Sequence, residues 1–144
     1  MTKIIAFLPN QTFPRDVQTE YLVKYMTDNI FRRRKLQVSY LGAWLLKIFG
    51  KETFNKIIWD NLIINIGEHS VNRCADEVIK YHNPNLILVF SNFGKASMQL
   101  LIDMGKVQCE VIDCTPLNML SAHRPECLEI LTQIKTKITE LERR

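Results

Sequence analysis

The chain reads as an α/β protein, a three-layer α/β/α sandwich on a four-stranded parallel sheet. Three observations carry that reading. Residues 4–8 and 86–90 are unbroken apolar stretches closed by turn residues, Pro9-Asn10 after the first and Ser91-Asn92-Phe93-Gly94 after the second. Runs of that length, so bounded, suit strands buried on both faces. The segments between the apolar runs have helical spacing, as βα units require, and right-handed crossovers then place helices on both faces of the sheet. The 144 residues fit one domain over 1–144, long enough to bury a core without staples.

Each element follows in order. Residues 4–8 form the first strand. The next loop, Pro9-Asn10-Gln11-Thr12-Phe13-Pro14, holds two prolines and stays irregular. A single helix is expected from Arg15 or Asp16 to Phe31, with Val17, Tyr21, Leu22, Tyr25 and Ile30 as its apolar stripe. Phe31-Arg32-Arg33-Arg34-Lys35 is the one concentrated charge run. It suits first a solvated helix end, where cations complement the dipole, and second a patch that contacts phosphates.

Trp44, Leu45, Ile48 and Phe49 give a second helix that stops at Gly50. Residues 54–59 add a further helical turn or two. Leu62-Ile63-Ile64-Asn65 is the second buried strand and Gly67-Glu68-His69-Ser70 its loop. Ser70 caps the next helix, which turns Cys74, Ala75, Val78 and Ile79 to the core. The strand at 86–90 comes third, followed by a helix through Ala96, Met98, Leu100 and Leu101. Gly105 turns the chain into the fourth strand, whose core runs from Val111 to Cys114. A long loop, 115–124, precedes a last helix that opens at Pro125 or Glu126. Leu128, Leu131, Ile134, Ile138 and Leu141 form its stripe.

Composition narrows the function classes. The four cysteines, Cys74, Cys109, Cys114 and Cys127, form no C-x-x-C pair and read as reduced thiols of a cytoplasmic protein. No metal-ligand spacing occurs, so no metal is expected. No G-x-G-x-x-G, P-loop or G-x-S-x-G is present, and no cofactor is expected. The amino-terminal apolar run is too short for a signal peptide and no segment is long enough for a membrane span. A net charge of +4 permits a polyanionic partner without demanding one.

The strand-end loops carry the chemistry. They hold Asn10, Gln11, Thr12 and Phe13; Asn65, Glu68 and His69; Ser91, Asn92 and Phe93; and Thr115, Asn118, Ser121, His123 and Arg124. Amides match the donor–acceptor edges of a nucleobase and aromatic rings stack on its face. In open α/β sheets ligands bind at the carboxyl ends of the strands.

Several of these segments resemble the uracil-DNA glycosylase superfamily. Leu62-Ile63-Ile64-Asn65 resembles its apolar strand ending in a base-reading asparagine. Leu120-Ser121-Ala122-His123-Arg124 resembles the end of its leucine loop, and Gln11-Thr12-Phe13-Pro14 part of its water-activating loop. Residues 85–96 resemble its strand and G-K-x-A turn. The resemblance implies a protein that recognises a flipped uracil or other aberrant base and hydrolyses its N-glycosidic bond. DNA is then the expected partner, with a protein partner as a further option.

The same resemblance implies roles. Asn10 holds the water, with Asp16 as substitute; Gln11, Phe13 and Asn65 hold the base. Ser91, Asn92, Asn118, Leu120, Ser121, His123 and Arg124 contact DNA, joined by Arg32, Arg33 and Arg34. Two departures stand against hydrolysis. The family's catalytic aspartate falls at Thr12, and its catalytic histidine near Thr115 or Pro116. Two alternatives therefore remain: an inactive nucleic-acid- or protein-binding module, and a nucleoside-processing enzyme such as a deoxyribosyltransferase, with Glu68 as nucleophile.

Overall fold

The computed structural model describes residues 2–143. The elements run β1 (Ile4–Leu8), β2 (Gln11–Phe13), α1 (Thr19–Thr27), α2 (Asn29–Gln37), α3 (Tyr40–Phe49), α4 (Lys51–Lys56), β3 (Ile57–Asn61), β4 (Ile63–Ile66), β5 (His69–Asn72), α5 (Ala75–His82), β6 (Leu86–Val89), α6 (Asn92–Asp103), β7 (Glu110–Asp113) and α7 (Pro125–Glu142).

The main sheet has the order β3-β1-β6-β7 and every pairing is parallel. Successive residues of a strand point to opposite faces, and the central strands obey this strictly. Ile4, Ala6 and Leu8 join Leu86 and Leu88 in a core closed by Leu45 and Phe49 of α3 and Ile134 and Ile138 of α7. Ile5, Phe7, Ile87 and Val89 face the other way, onto Val78 and Ile79 of α5 and Met98 and Leu101 of α6. The expected α/β architecture, a parallel four-stranded sheet between two helical layers, is therefore present.

A second sheet, β2-β4-β5, sits beyond the carboxyl ends of β1 and β3, with β2 parallel to β4 and β4 antiparallel to β5. Under it Phe13, Tyr25 and Ile64 form a third core.

Three sequence expectations change. First, the second strand of the main sheet is β3, at Ile57–Asn61, where a helical turn was expected; residues 62–65 lie after it, in β4. A short apolar run has no periodicity that separates strand from helix, and pairing with β1 decides it. Second, a small second sheet replaces two expected loops: residues 11–13, expected irregular, are strand β2 because they pair with β4, and residues 69–72 are strand β5, not loop and cap, so that the following helix starts at Ala75, with an exposed Cys74 as its N-cap.

Third, the helix expected up to Phe31 starts only at Thr19 and divides at Asp28, whose side chain accepts the Phe31 N–H at 3.0 Å and so opens α2. Ile30 and Leu128, expected on apolar stripes, are largely exposed. The corner between α2 and α3 depends on Gly42. A Cβ there would lie 1.7 Å from the Leu36 carbonyl oxygen, which no side chain can do.

The outer edge of β3 is closed by arginines. Arg32, only 3 % exposed, donates to the Trp59 carbonyl and, at 2.7 Å, to the Tyr25 carbonyl. Arg73 donates to the Asn61 carbonyl at 3.1 Å and pairs with Asp60. Asp60 Oδ1 also accepts the Asn61 N–H at 2.8 Å and lies 3.9 Å from Arg32 Nε. Buried charge is tolerable when paired and hydrogen-bonded; Asp60 Oδ1 meets that condition along this strand edge, whereas the buried Oδ2 has no hydrogen-bond partner among the described residues.

Candidate functional site

The strand order places β1 between its two crossovers. The chain leaves β1 for β3 on one side and returns past it to β6 on the other, so the crevice outside the carboxyl ends of β1 and β6 is the switch point of the sheet. Register aligns these ends: Leu8 lies opposite Asn61, and Val89 opposite Asp113.

Asn61, the asparagine that ends a main-sheet strand, was not among the sequence candidates. It is 3 % exposed, its Oδ1 accepts from the Tyr25 hydroxyl at 2.8 Å, and its Nδ2 donates to the Pro9 carbonyl at 2.6 Å. Both ends of its amide thus tie the loop after β1 to the end of β3. Burial pushes the Tyr25 phenol up to about 12, against the pull of the Arg32 charge, so the tyrosine stays a donor to Asn61. The sequence signal was an apolar run ending in Asp60-Asn61, one strand earlier than the run at 62–65.

The candidates of the first loop separate. Asn10 is exposed at the end of β1. Gln11 and Phe13 belong to β2, and Asn65 pairs with Thr12 in the second sheet. The Asn65 side chain accepts from the Ser70 hydroxyl at 2.6 Å and reaches Thr12 Oγ1 at 3.4 Å. Phe13 is 6 % exposed and meets Tyr21 and Tyr25 edge-on, with centroids 6.0 and 5.1 Å away. Its ring is part of a core, which leaves little of it to stack on a base. Asp16 sits in the turn before α1, on a cavity of about 350 Å³ that it shares with Phe13 and Tyr21. Glu68 is exposed in the β4–β5 turn, 3.6 Å from Arg15.

The charge run also separates. Arg32 is buried, so it cannot reach a phosphate. Arg33 donates to the Asn55 carbonyl at 3.0 Å, tying α2 to α4, while Arg34 is exposed and has no partner among the described residues.

On the other half of the carboxyl edge, Ser91 caps α6 by accepting the Gly94 N–H at 3.0 Å, and Asn92 is exposed on its first turn. Asp113 at the end of β7 pairs with Lys95 at 2.8 Å and accepts the Thr115 hydroxyl at 2.6 Å. Burial works to raise its carboxyl, but Lys95 and Thr115 outweigh it and hold the group below the usual range.

The loop after β7 is stitched from within. Asn118 Oδ1 accepts the N–H groups of Leu120 and Ser121 at 2.9 and 3.1 Å. The buried Ser121 hydroxyl donates to the Pro116 carbonyl at 3.0 Å, so Ser121 braces the loop and offers nothing to a ligand. Leu117 is buried and anchors the start. Held out by these bonds is Leu120, 87 % exposed, beside an exposed Met119, with His123 and Arg124 exposed at the start of α7.

Asn65 and Leu120 therefore share an edge of the molecule and not a pocket. They follow the two outermost strands, β3 and β7, which are three strand spacings apart, about 14 Å. A cavity of about 1030 Å³ lies elsewhere, along the flank of β3. Among the described residues no cluster of His, Cys, Asp and Glu could hold a metal, and no helix is long and apolar enough to cross a membrane. No protein-family model, curated protein or solved structure matches the chain.

Proposed function

We propose that this chain is a nucleic-acid-binding module on a uracil-DNA glycosylase-like scaffold, which engages DNA through the loop after β7 and leaves the glycosidic bond intact. One observation carries the reading: Leu120 stands 87 % exposed at the tip of a loop whose backbone is fixed by Asn118 and Ser121. An apolar side chain held in water costs stability unless something covers it. A base step does so when a wedge enters a duplex, where a few kcal/mol of unstacking is offset by burying a leucine, about 1.5–3 kcal/mol. Arg124 and His123 beside it suit the flanking phosphates.

The chemistry of hydrolysis is less well provided. The carboxylate at the end of β7, Asp113, is held by Lys95 and Thr115 and makes a weak base. Thr12 stands where the family's catalytic aspartate is expected, and a hydroxyl balances no cationic sugar.

The test is fluorescence anisotropy with single- and double-stranded oligonucleotides, with and without uracil, across a salt series, followed by an abasic-site assay. The expected result is salt-dependent binding without base release. Arg124→Ala should reduce the salt slope by about 1. Leu120→Ala should weaken duplex binding without changing that slope. Base release would restore the hydrolase reading, and an absence of binding at low salt would remove nucleic acid as the partner.

A further inference from the structure

We propose that the groove along the flank of β3 is a second site, independent of the carboxyl edge, and that it takes a nucleoside monophosphate with the phosphate on Arg73 and Lys3. The groove runs between α5 and the junction of α1 with α2 and encloses about 1030 Å³, the upper end of the range for small-molecule sites.

Arg73 is the reason to place an anion there. Its Nη1 is committed to Asp60 and to the Asn61 carbonyl, which fixes the guanidinium. Its Nε and Nη2 have no hydrogen-bond partner among the described residues and are not sealed from solvent. Those two nitrogens share one edge of the guanidinium, the fork that bonds a phosphate bidentately. The side chain is 16 % exposed, so the fork is already desolvated on most sides and loses little entropy on binding.

The surroundings reinforce that anchor. Lys3 lines the same groove and has no ion pair among the described residues. Lys3, Arg32 and Arg73 line the groove with one carboxylate, Glu77, and Asp60 behind it offsets one of the two arginine charges, which leaves the surroundings of the groove mildly positive. His82 responds to this field. Burial lowers its imidazole from the ordinary range, and Arg32, Lys3 and Arg73 add to the shift against the opposing charge of Asp60. Met26, Ile58 and the exposed ring of Tyr81 supply apolar surface for a flat base and its ribose.

Cys74 lines the groove and is exposed, whereas Cys109 is half-buried and Cys114 and Cys127 are buried. It serves as a local reporter. The experiment follows iodoacetamide alkylation of each cysteine by mass spectrometry in the full chain, alone and with saturating AMP, adenosine or inorganic phosphate. AMP should slow alkylation of Cys74 by at least about fivefold and leave Cys109 unchanged. Adenosine and phosphate at the same concentration should each slow it by less than about twofold.

Lys3→Glu should abolish the AMP effect. The hydrogen bond that Lys3 makes to Asn85 comes from its backbone N–H, so the fold does not depend on that side chain. Leu120→Ala should keep the protection in full. The proposal is overturned if AMP leaves the Cys74 rate unchanged, if adenosine or phosphate protects as well as AMP, or if Lys3→Glu retains full protection.

Discussion

Arg32 and Leu120 reverse the ordinary rule of burial in opposite directions. The arginine is 3 % exposed and the leucine 87 %. Around Arg32 every nitrogen has an acceptor: the carbonyls of Trp59 and Tyr25, and Asn29 Oδ1 at 3.4 Å. Around Leu120 the bonds hold only the backbone and the side chain stands in water. A misplaced charge that is fully partnered belongs to the architecture of the protein, whereas a misplaced apolar group on a braced loop is available to something outside it. The difference teaches that residue type alone does not mark a site; what the neighbours have already claimed does.

The comparison breaks most easily at Asp60. Asp60→Asn keeps the shape but leaves two arginines in the flank of β3 without their counter-charge. Urea unfolding should show a loss of about 3–5 kcal/mol, the usual penalty for breaking a buried pair. A loss under about 1 kcal/mol would mean that the arginines are held by the carbonyls alone.

Alkaline pH probes the same region more gently. An unfolded tyrosine gives up its proton near 10.0, and Tyr25 in the fold only near about 12. Folding thus retains a proton that the unfolded chain releases. The contribution is whole below pH 10.0 and is lost between there and about 12, some 2–3 kcal/mol in total. Cys114, raised by burial and by Asp113 from 9.0 to about 12, begins its own decline earlier, so the profile is best read in Cys114→Ala. Tyr25→Phe should flatten the later part of the decline, at a cost near neutral pH of about 1–2 kcal/mol for the bond to Asn61. An unchanged pH profile in that variant would assign the alkaline loss to another group.

Ser91→Ala should cost about 1 kcal/mol, the value of one N-cap, and have no other effect on the carboxyl edge. Smallest of all should be the stability change of Leu120→Ala, within about 0.5 kcal/mol, although the same substitution is the one expected to weaken duplex binding. Destabilisation by more than about 1 kcal/mol would show that Leu120 is packed in solution and would erase the contrast with Arg32.

Much of the main sheet was legible because its strands announce themselves. Residues 4–8 and 86–89 are apolar on both faces and bounded by turn residues, and they became the two central strands. The last helix opens at Pro125 as its spacing implied. What stayed hidden depended on partners far along the chain. Ile57–Asn61 is a strand because it pairs with β1, and its Asp60-Asn61 end looked like an interruption until Tyr25 of α1, Arg32 of α2 and Arg73 between β5 and α5 arrived to partner it. The second sheet was missed for the same reason: residues 69–72 are exposed throughout and have no apolar face to mark them. At the carboxyl edge the loop residues were identifiable by type, but not whether each was spent on the fold, as Ser121 is, or free, as Arg124 is.

The closed margin of β3 has one more consequence, for how copies of this chain can stick together. A visiting strand adds to a sheet by bonding the outward carbonyls of its last strand, and at Trp59 and Asn61 those are occupied by arginine side chains. Strand-to-strand growth is thereby steered to the other edges, β7 in the main sheet and β2 and β5 in the second, and of these three β5 is the one with every residue exposed. If concentrated protein forms fibres, their seam should contain Val71 and not Trp59.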